Sequence, residues 1–310
     1  MDKFIKQEGI SHMNLHRLNV CIPARDRTVL TLKCIESIHG TSKLFTDINV
    51  YVFDNLSNMD ISRMNMFSKL LATNQIKHYS YDTSQSTYDC FPKPIIFRRW
   101  ASMMIDQYEL YNKIGKEPNI KDVYMLLDND MILGPDWDSY FITALDNILK
   151  YSKEIKFIVK YPGGIPLKFR EHAPSFKLTN RYKNNEEFEV ITSNFGGGSG
   201  CWVMDIKMLK YLTWSIEEIS KTLGKFKGHD TATWARIRKE FNDTQYVAAV
   251  KPRNLDTNPL IIHMGAGSMC MSLNKNEYGT ARSKFSGEES KYRDMSYSEI
   301  FQQNKGKGTW

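Results

Sequence analysis

Two aspartates separated by one residue, Asp128 and Asp130, form the stretch of this sequence best suited to do chemistry. They follow Val123-Tyr124-Met125-Leu126-Leu127, a short apolar run that predicts a buried strand. On an extended chain residues i and i+2 share a face, so both carboxylates can point at one ligand. Hard oxygen ligands suit Mg²⁺ or Mn²⁺, which keep positions open for phosphate oxygens. Asp128-Asn129-Asp130 therefore predicts a Mn²⁺ or Mg²⁺ site, with an ordinary turn as the alternative.

The elements around this stretch alternate between strand and helix. Strands are predicted at 17–23, 49–53, 76–81 and 123–127, and helices at 28–39, 61–71 and 95–111. Alternation of this kind is typical of an α/β fold with a mainly parallel, twisted sheet, flanking helices and right-handed crossovers.

Charged side chains gather where the predicted strands end. Arg25 and Asp26 follow the first strand after Pro23, Asp54 closes the second, and Asp128 and Asp130 follow a later one. In parallel sheets ligands bind beyond the carboxyl ends of the strands. We therefore expect these side chains to line one site.

The second half of the chain carries a glycine-rich stretch, Gly196 to Gly200, followed by the apolar strand-like run Cys201 to Met204. Glycines let a ligand approach the backbone closely, although a plain flexible loop is an equal alternative. The spacing is not GxGxxG, so it does not predict a dinucleotide site.

Two further residues stand at element boundaries. Asp230 follows His229 and precedes a predicted helix at 231–241, so it is either an acid-base group or a helix N-cap. His263 ends another short apolar strand and is either a ligand or a structural histidine.

Composition describes an ordinary globular protein of 310 residues, with 41% hydrophobic and 25% charged residues. Its five cysteines are scattered and never form a CxxC pair, which indicates reduced thiols. The first residues have no apolar core, and no apolar run is long enough to insert into a membrane. We expect a soluble, cytoplasmic protein of a bacterial or infected host cell.

The net charge of +7 is concentrated in residues 150–183, which hold nine lysines and arginines against two glutamates. Aromatic residues interleave with these cations, as stacking on nucleic-acid bases requires. The stretch therefore predicts a nucleic-acid contact, with a solvated helix face as the alternative.

The order and spacing of these features resemble the GT-A glycosyltransferases, particularly the family-2-like group. The resemblance covers about residues 17–265 and rests on Pro23, Arg25-Asp26, Asp54, Asp128-Asn129-Asp130, Gly196 to Gly200, Asp230 and His263. It implies a soluble enzyme that moves a sugar from a nucleotide-diphosphate donor to an acceptor hydroxyl. The sequence departs from the family pattern at Asp26, where Asn is frequent, and at His229-Asp230, which replaces a Glu-Asp pair.

The resemblance also implies roles for residues. Asp54 would contact the nucleotide base, Asp128 the ribose or the metal, and Asp130 the metal, with His263 as a further ligand. Asp230 would be the catalytic base of an inverting transfer. The predicted donor-binding residues are Pro23, Arg25, Asp26, Asp54, Arg98, Arg99, Asp128 and Asn129, and those on the acceptor side are Gly197, Gly198, Gly200, Trp202, His229, Lys168 and Arg170.

These interpretations divide the chain into an N-terminal extension (1–16), a glycosyltransferase domain (17–265) and a C-terminal loop and tail (266–310). Within the domain, 17–134 would form the donor half and 135–265 the acceptor half. The acceptor is either a nucleic acid, such as hydroxymethylated pyrimidines in phage-type DNA modification, or a glycan, lipid or protein. A nucleotidyltransferase and a non-catalytic nucleic-acid-binding protein remain alternative functions.

Overall fold

The computed structural model describes residues 15–24, 27–55, 60–82, 92–115, 120–142, 145, 157–159, 175–180, 186–192, 200–213, 248–252, 261–264 and 290–304. Within these ranges no helix is long and apolar enough to cross a membrane.

Eleven strands are present in the described residues: β1 (Leu15–Ala24), β2 (Phe45–Asn55), β3 (His78–Asp82), β4 (Ile120–Leu127), β5 (Met131–Leu133), β6 (Phe157–Val159), β7 (Ser175–Asn180), β8 (Glu186–Thr192), β9 (Cys201–Met204), β10 (Ala248–Pro252) and β11 (Ile261–His263). Nine of them form one sheet in the order β3-β2-β1-β4-β9-β6-β10-β8-β7, and β5 pairs with β11 in a separate ribbon. Strands β1 to β4 are mutually parallel where they pair, and β6 pairs parallel with β10. Strand β9 lies antiparallel between β4 and β6, and β8 lies antiparallel to both β10 and β7.

In the described residues the α-helices with defined bounds are α1 (Thr28–Thr41), α2 (Ile61–Ala72), α3 (Pro92–Lys113) and α4 (Tyr297–Asn304). Residues 137–142 and 206–213 are also helical. Helix α2 begins after Asp60, whose carboxylate accepts a hydrogen bond from the Arg63 amide at 2.7 Å. Helix α3 is followed by Gly115 at φ 65°, a left-handed conformation that glycine adopts at no steric cost.

The sheet separates two cores because neighbouring strand residues point to opposite faces. Val20 and Ile22 pack with α1 and α2, whereas Cys21 packs with α3 and the helical residues 206–213. The result is a three-layer α/β/α arrangement, so the α/β class with a mainly parallel sheet and flanking helices is confirmed.

A third core joins the β5–β11 ribbon to α4. Ile132 and Ile262 of the ribbon pack on Ile300 and Phe301 of the helix. A β-carbon added to Gly134 would lie 2.1 Å from the Phe301 ring, so only glycine leaves room for it. The ribbon is therefore held from behind by the C-terminal helix.

The structure differs from the expected elements mainly in the second half of the chain. Residues 131–133 form β5, where no element was predicted, and β7 and β8 were not predicted either. Within the basic stretch, the run Phe157-Ile158-Val159 predicts a strand and forms β6, whereas 175–180 forms β7 and not the helix face offered as an alternative. These strands are short, so their apolar pattern is too brief to be distinctive.

Candidate functional site

The segment Asp128-Asn129-Asp130 forms a tight turn between β4 and β5. The Met131 amide donates to the Asp128 carbonyl at 3.2 Å, which closes a four-residue turn. The extended-chain argument for a shared face therefore does not hold here, because the chain reverses directly after β4. The Asp128 amide donates to the Gly200 carbonyl at 2.8 Å, which anchors the turn to β9.

Asp130 is the most enclosed carboxylate of this turn, with its side chain 3% exposed. Its Oδ2 atom accepts a hydrogen bond from the guanidinium of Arg27, which directly precedes α1 and is itself 9% exposed. Its Oδ1 atom lies 3.3 Å from Nε2 of His263. A cationic side chain and an imidazole thus face the two oxygens of one carboxylate.

The β5–β11 ribbon brings His263 to this place. His263 pairs with Met131 in the antiparallel register, and the Met264 amide donates to the Asp130 carbonyl at 2.8 Å. Burial of the imidazole opposes protonation, but the hydrogen bond to Asp130 and the charges of Asp130 and Asp128 outweigh it and raise the pKa of His263. The two carboxylates therefore stabilise the protonated form of the imidazole.

Helix α1 holds the turn through a stripe of small polar side chains. The Thr31 hydroxyl accepts a hydrogen bond from the side-chain Nδ2 of Asn129 at 2.9 Å, and the Cys34 thiol donates to the Asp128 carbonyl, with 3.7 Å from Sγ to the oxygen. Further along, Ser37 accepts from the Leu133 amide at 3.0 Å and Thr41 from the Trp137 indole at 2.9 Å. Spacings of three and four residues place these side chains on one face of the helix, so α1 fixes the backbone that carries both aspartates.

The thiol in this stripe stays protonated. Burial raises the pKa of Cys34, and the charges of Asp130 and Asp128 raise it further. Cys34 therefore acts as a donor to the Asp128 carbonyl and not as a thiolate ligand.

Asp54, at the end of β2, is a second buried carboxylate at the same edge of the sheet, and it is hydrogen-bonded to Arg63 and Tyr79. It is 1% exposed and accepts from Arg63 Nε at 2.8 Å, from Arg63 Nη2 at 2.5 Å and from the Tyr79 hydroxyl at 3.0 Å. Arg63 also donates to the Thr28 hydroxyl, which joins α2 to the start of α1. Burial and the charge of Asp54 raise the pKa of Tyr79.

The donor chemistry of the turn fits a hard divalent cation, because two carboxylates and an imidazole are ligands that Mn²⁺ and Mg²⁺ accept. As the side chains stand, however, no three His, Cys, Asp or Glu residues within the described ranges are grouped so that they could hold a metal ion. In this arrangement Arg27 and His263 face the two oxygens of Asp130.

The other predicted residues occupy varied positions. Pro23 pairs with Phe53 near the end of β1, and Arg98 and Arg99 are exposed on α3. Gly200 lies against Asp128: an added β-carbon would be 3.5 Å from Oδ2 of that residue.

Trp202, expected on the acceptor side, is fully buried and packs edge-on to Phe97 in the core beneath α3. Strand alternation explains this, because Trp202 pairs with Leu126 and shares its inward face. The predicted residues Arg25, Asp26, Lys168, Arg170, Gly197, Gly198, His229 and Asp230 lie outside the described ranges.

Sequence reasoning missed Arg27 and Thr31. Arg27 occupies the N-cap position of α1, where Ser, Thr, Asp or Asn is usual, and its side chain makes no capping hydrogen bond. It also has φ 48° and ψ 46°, which a residue with a β-carbon rarely adopts. An unsuitable cap at the start of a well-defined helix was the available signal.

Comparison with known proteins gave no matching family model and no matching curated protein. Among solved structures, S. aureus TarS 1–349 in complex with UDP-GlcNAc is 11% identical with a TM-score of 0.45, covering 92% of this chain and 70% of that one. A second structure of the same TarS fragment is 10% identical with a TM-score of 0.42, covering 92% of this chain and 68% of that one.

A glycosyltransferase involved in glycosylation of the major capsid of PBCV-1 is 11% identical with a TM-score of 0.36, covering 86% of this chain and 98% of that one. These TM-scores are all below 0.5, which is too low to assign an activity to this chain.

Proposed function

We propose that this chain is a nucleotide-sugar glycosyltransferase that uses Mn²⁺ or Mg²⁺. The observation that carries the proposal is that Asp130, in the turn directly after β4, lies 3.3 Å from His263 of β11. This turn is at the carboxyl end of a parallel strand, where ligands bind in such sheets. The order of the motifs along the sequence supports the same activity.

In this proposal Asp128 and Asp130 hold the divalent cation, with His263 as the adjacent side chain. The cation would offset the negative charge that builds on the leaving diphosphate. The chain's own contribution is to hold the two carboxylates in a fixed turn, through the α1 stripe and the Gly200 carbonyl.

Asp230 is the proposed catalytic base, which would take the acceptor proton in an inverting transfer. Its support comes from the sequence alone: an acidic residue directly before a predicted helix, in the half of the chain that follows the metal site. His229 precedes it where the resembling family has a glutamate.

The proposed acceptor is a polyanion, for instance hydroxymethylated pyrimidines in DNA. Its support is the concentration of positive charge in residues 150–183. Binding through phosphates should weaken steeply as salt rises. If DNA binding survives charge reversal at Lys168, Arg170, Lys177 and Arg181, the 150–183 stretch is not where DNA binds.

The test is a donor screen with purified protein, Mn²⁺ and a panel of nucleotide sugars, read as nucleoside diphosphate release with and without hydroxymethylated DNA. We expect slow hydrolysis of one donor, reduced about 100- to 1000-fold in Asp130→Asn, as for loss of one electrostatic stabiliser. Asp106→Asn, on the exposed side of α3, is the matched control and should hydrolyse at the wild-type rate. Release of pyrophosphate would indicate a nucleotidyltransferase, and silence across the panel would reject both activities.

A further inference from the structure

The Arg27 guanidinium lies against Asp130, at the position where a divalent cation would bind this carboxylate. It donates to Oδ2 of Asp130, and both side chains are nearly buried, at 9% and 3% exposed. Like charges repel strongly where little water screens them, so the guanidinium opposes binding of a divalent cation at the same carboxylate oxygen.

The local backbone also points to a role for Arg27 beyond helix formation. Its left-handed conformation is disfavoured for any residue with a β-carbon, and its side chain leaves the helix start without a cap. Two unfavourable local choices at one residue require a compensating contact, and the pairing with Asp130, 103 residues away, provides it.

We infer that Arg27 is an exchangeable counter-ion of Asp130: it neutralises the carboxylate in the resting protein and must leave before a divalent cation binds there. This inference rests on the proposed function. It also specifies the chemistry that would draw Arg27 away, because a planar guanidinium binds phosphate oxygens as well as carboxylates. Arg27 would therefore move from Asp130 to the phosphates of a nucleoside diphosphate when the cation binds Asp130.

The test measures Mn²⁺ binding without any donor, by calorimetry and by loss of the free-ion electron paramagnetic resonance signal. With the competing cation removed, Arg27→Gln should bind Mn²⁺ about tenfold more tightly than wild type, within the range of coupling between two ligands. Arg27→Lys retains a cation and should stay near the wild-type affinity. Arg293→Gln, which removes an exposed arginine, is the matched control and should also bind as wild type does.

Equal or weaker Mn²⁺ affinity in Arg27→Gln would overturn the inference. Should that variant not fold, wild-type protein labelled with ¹⁵N-arginine answers the same question. Saturating Mg²⁺ should abolish the slow proton exchange of one buried guanidinium while leaving that of Arg63 unchanged, and no change in any guanidinium would overturn the inference.

The failure of this inference differs from failure of the proposed function. Mn²⁺ binding that is lost in Asp130→Asn but equal in wild type and Arg27→Gln would reject the exchange and leave the metal-dependent activity standing. Absence of any Mn²⁺ binding that depends on Asp130 would reject both.

Discussion

Two carboxylates at the same edge of the sheet are each paired with an arginine from the start of a helix, yet their surroundings differ. Asp54 is paired with Arg63 in the first turn of α2, and Tyr79 donates a further hydrogen bond to it. Asp130 is paired with Arg27, but its other oxygen faces His263, and Asp128 lies two residues away.

The supports of the two arginines differ as well. Arg63 is 2% exposed, lies over the Phe67 ring at 5.1 Å and takes an ordinary position in a capped helix. Arg27 has a left-handed backbone and caps nothing. The comparison teaches that one ion pair fastens helix α2 to the sheet, whereas the other is set among groups that could exchange partners.

Removal of metal should separate the two carboxylates most sharply. We expect EDTA to reduce nucleoside diphosphate release to background, because the proposed cation lies at Asp128 and Asp130. The unfolding midpoint, measured by circular dichroism, should change little, because Arg27 pairs with Asp130 when no cation is bound and the Asp54–Arg63 pair takes no part in metal binding. Activity that persists in EDTA and is not raised by Mn²⁺ would contradict the metal site.

Loss of Arg63 should have the largest effect on stability. Arg63→Met leaves the Asp54 charge buried without its partner, which we expect to lower the free energy of unfolding by about 3–5 kcal/mol. Urea denaturation measures this, with Arg293→Met as the exposed control. The double variant Asp54→Leu/Arg63→Met should recover much of the loss, since it removes both charges. A cost below about 1 kcal/mol for Arg63→Met would place this pair among ordinary surface ion pairs.

Loss of the Thr31 hydroxyl should loosen the turn that carries Asp130. Thr31→Val removes the hydroxyl that accepts from the side-chain amide of Asn129, a residue that is 8% exposed. We expect this loss to lower the free energy of unfolding by about 1–3 kcal/mol. Thr213→Val is a matched control, because the Thr213 hydroxyl donates to the Leu209 carbonyl within its own helix. Equal costs for the two variants in urea denaturation would show that the bond to Asn129 contributes nothing.

The smallest expected effect is on the pH dependence of stability, through His78 of β3. His78 packs beside Tyr51 and Phe53, and burial lowers its pKa. The unfolded chain therefore binds a proton at a higher pH than the native protein, so stability should fall as pH falls below about 6.5 and level off below the native pKa. His78→Gln should flatten this slope in urea denaturation at a series of pH values. An unchanged slope would assign the acid sensitivity to other groups.

Much of the fold could be predicted from the sequence because its signals are local. The apolar runs ending at Pro23, Phe53 and Leu127 are long enough to identify strands, and the helices between them have clear periodicity. Strands β7 and β8 escaped prediction because short, polar strands depend on their neighbours for pairing, which no window of sequence contains.

The candidate site was predictable only in part. Asp130 and His263 could be proposed from their places at strand ends, and the structure brings them within 3.3 Å of each other. Arg27 was not predicted: its poor fit as a helix cap marks it as unusual, but its pairing with Asp130 depends on the backbone angles at the start of α1.

The sequence by itself determined the alternation of strands and helices and the turn residues that carry carboxylates to the ends of the strands, since periodicity and turn chemistry act between near neighbours. Only the tertiary structure decided how those carboxylates are used. Asp54 is enclosed by Arg63 and Tyr79, while Asp130 lies between Arg27 and His263, on elements that are distant along the chain. Contacts between distant elements arise from packing around a shared core, and packing is a property of the whole fold.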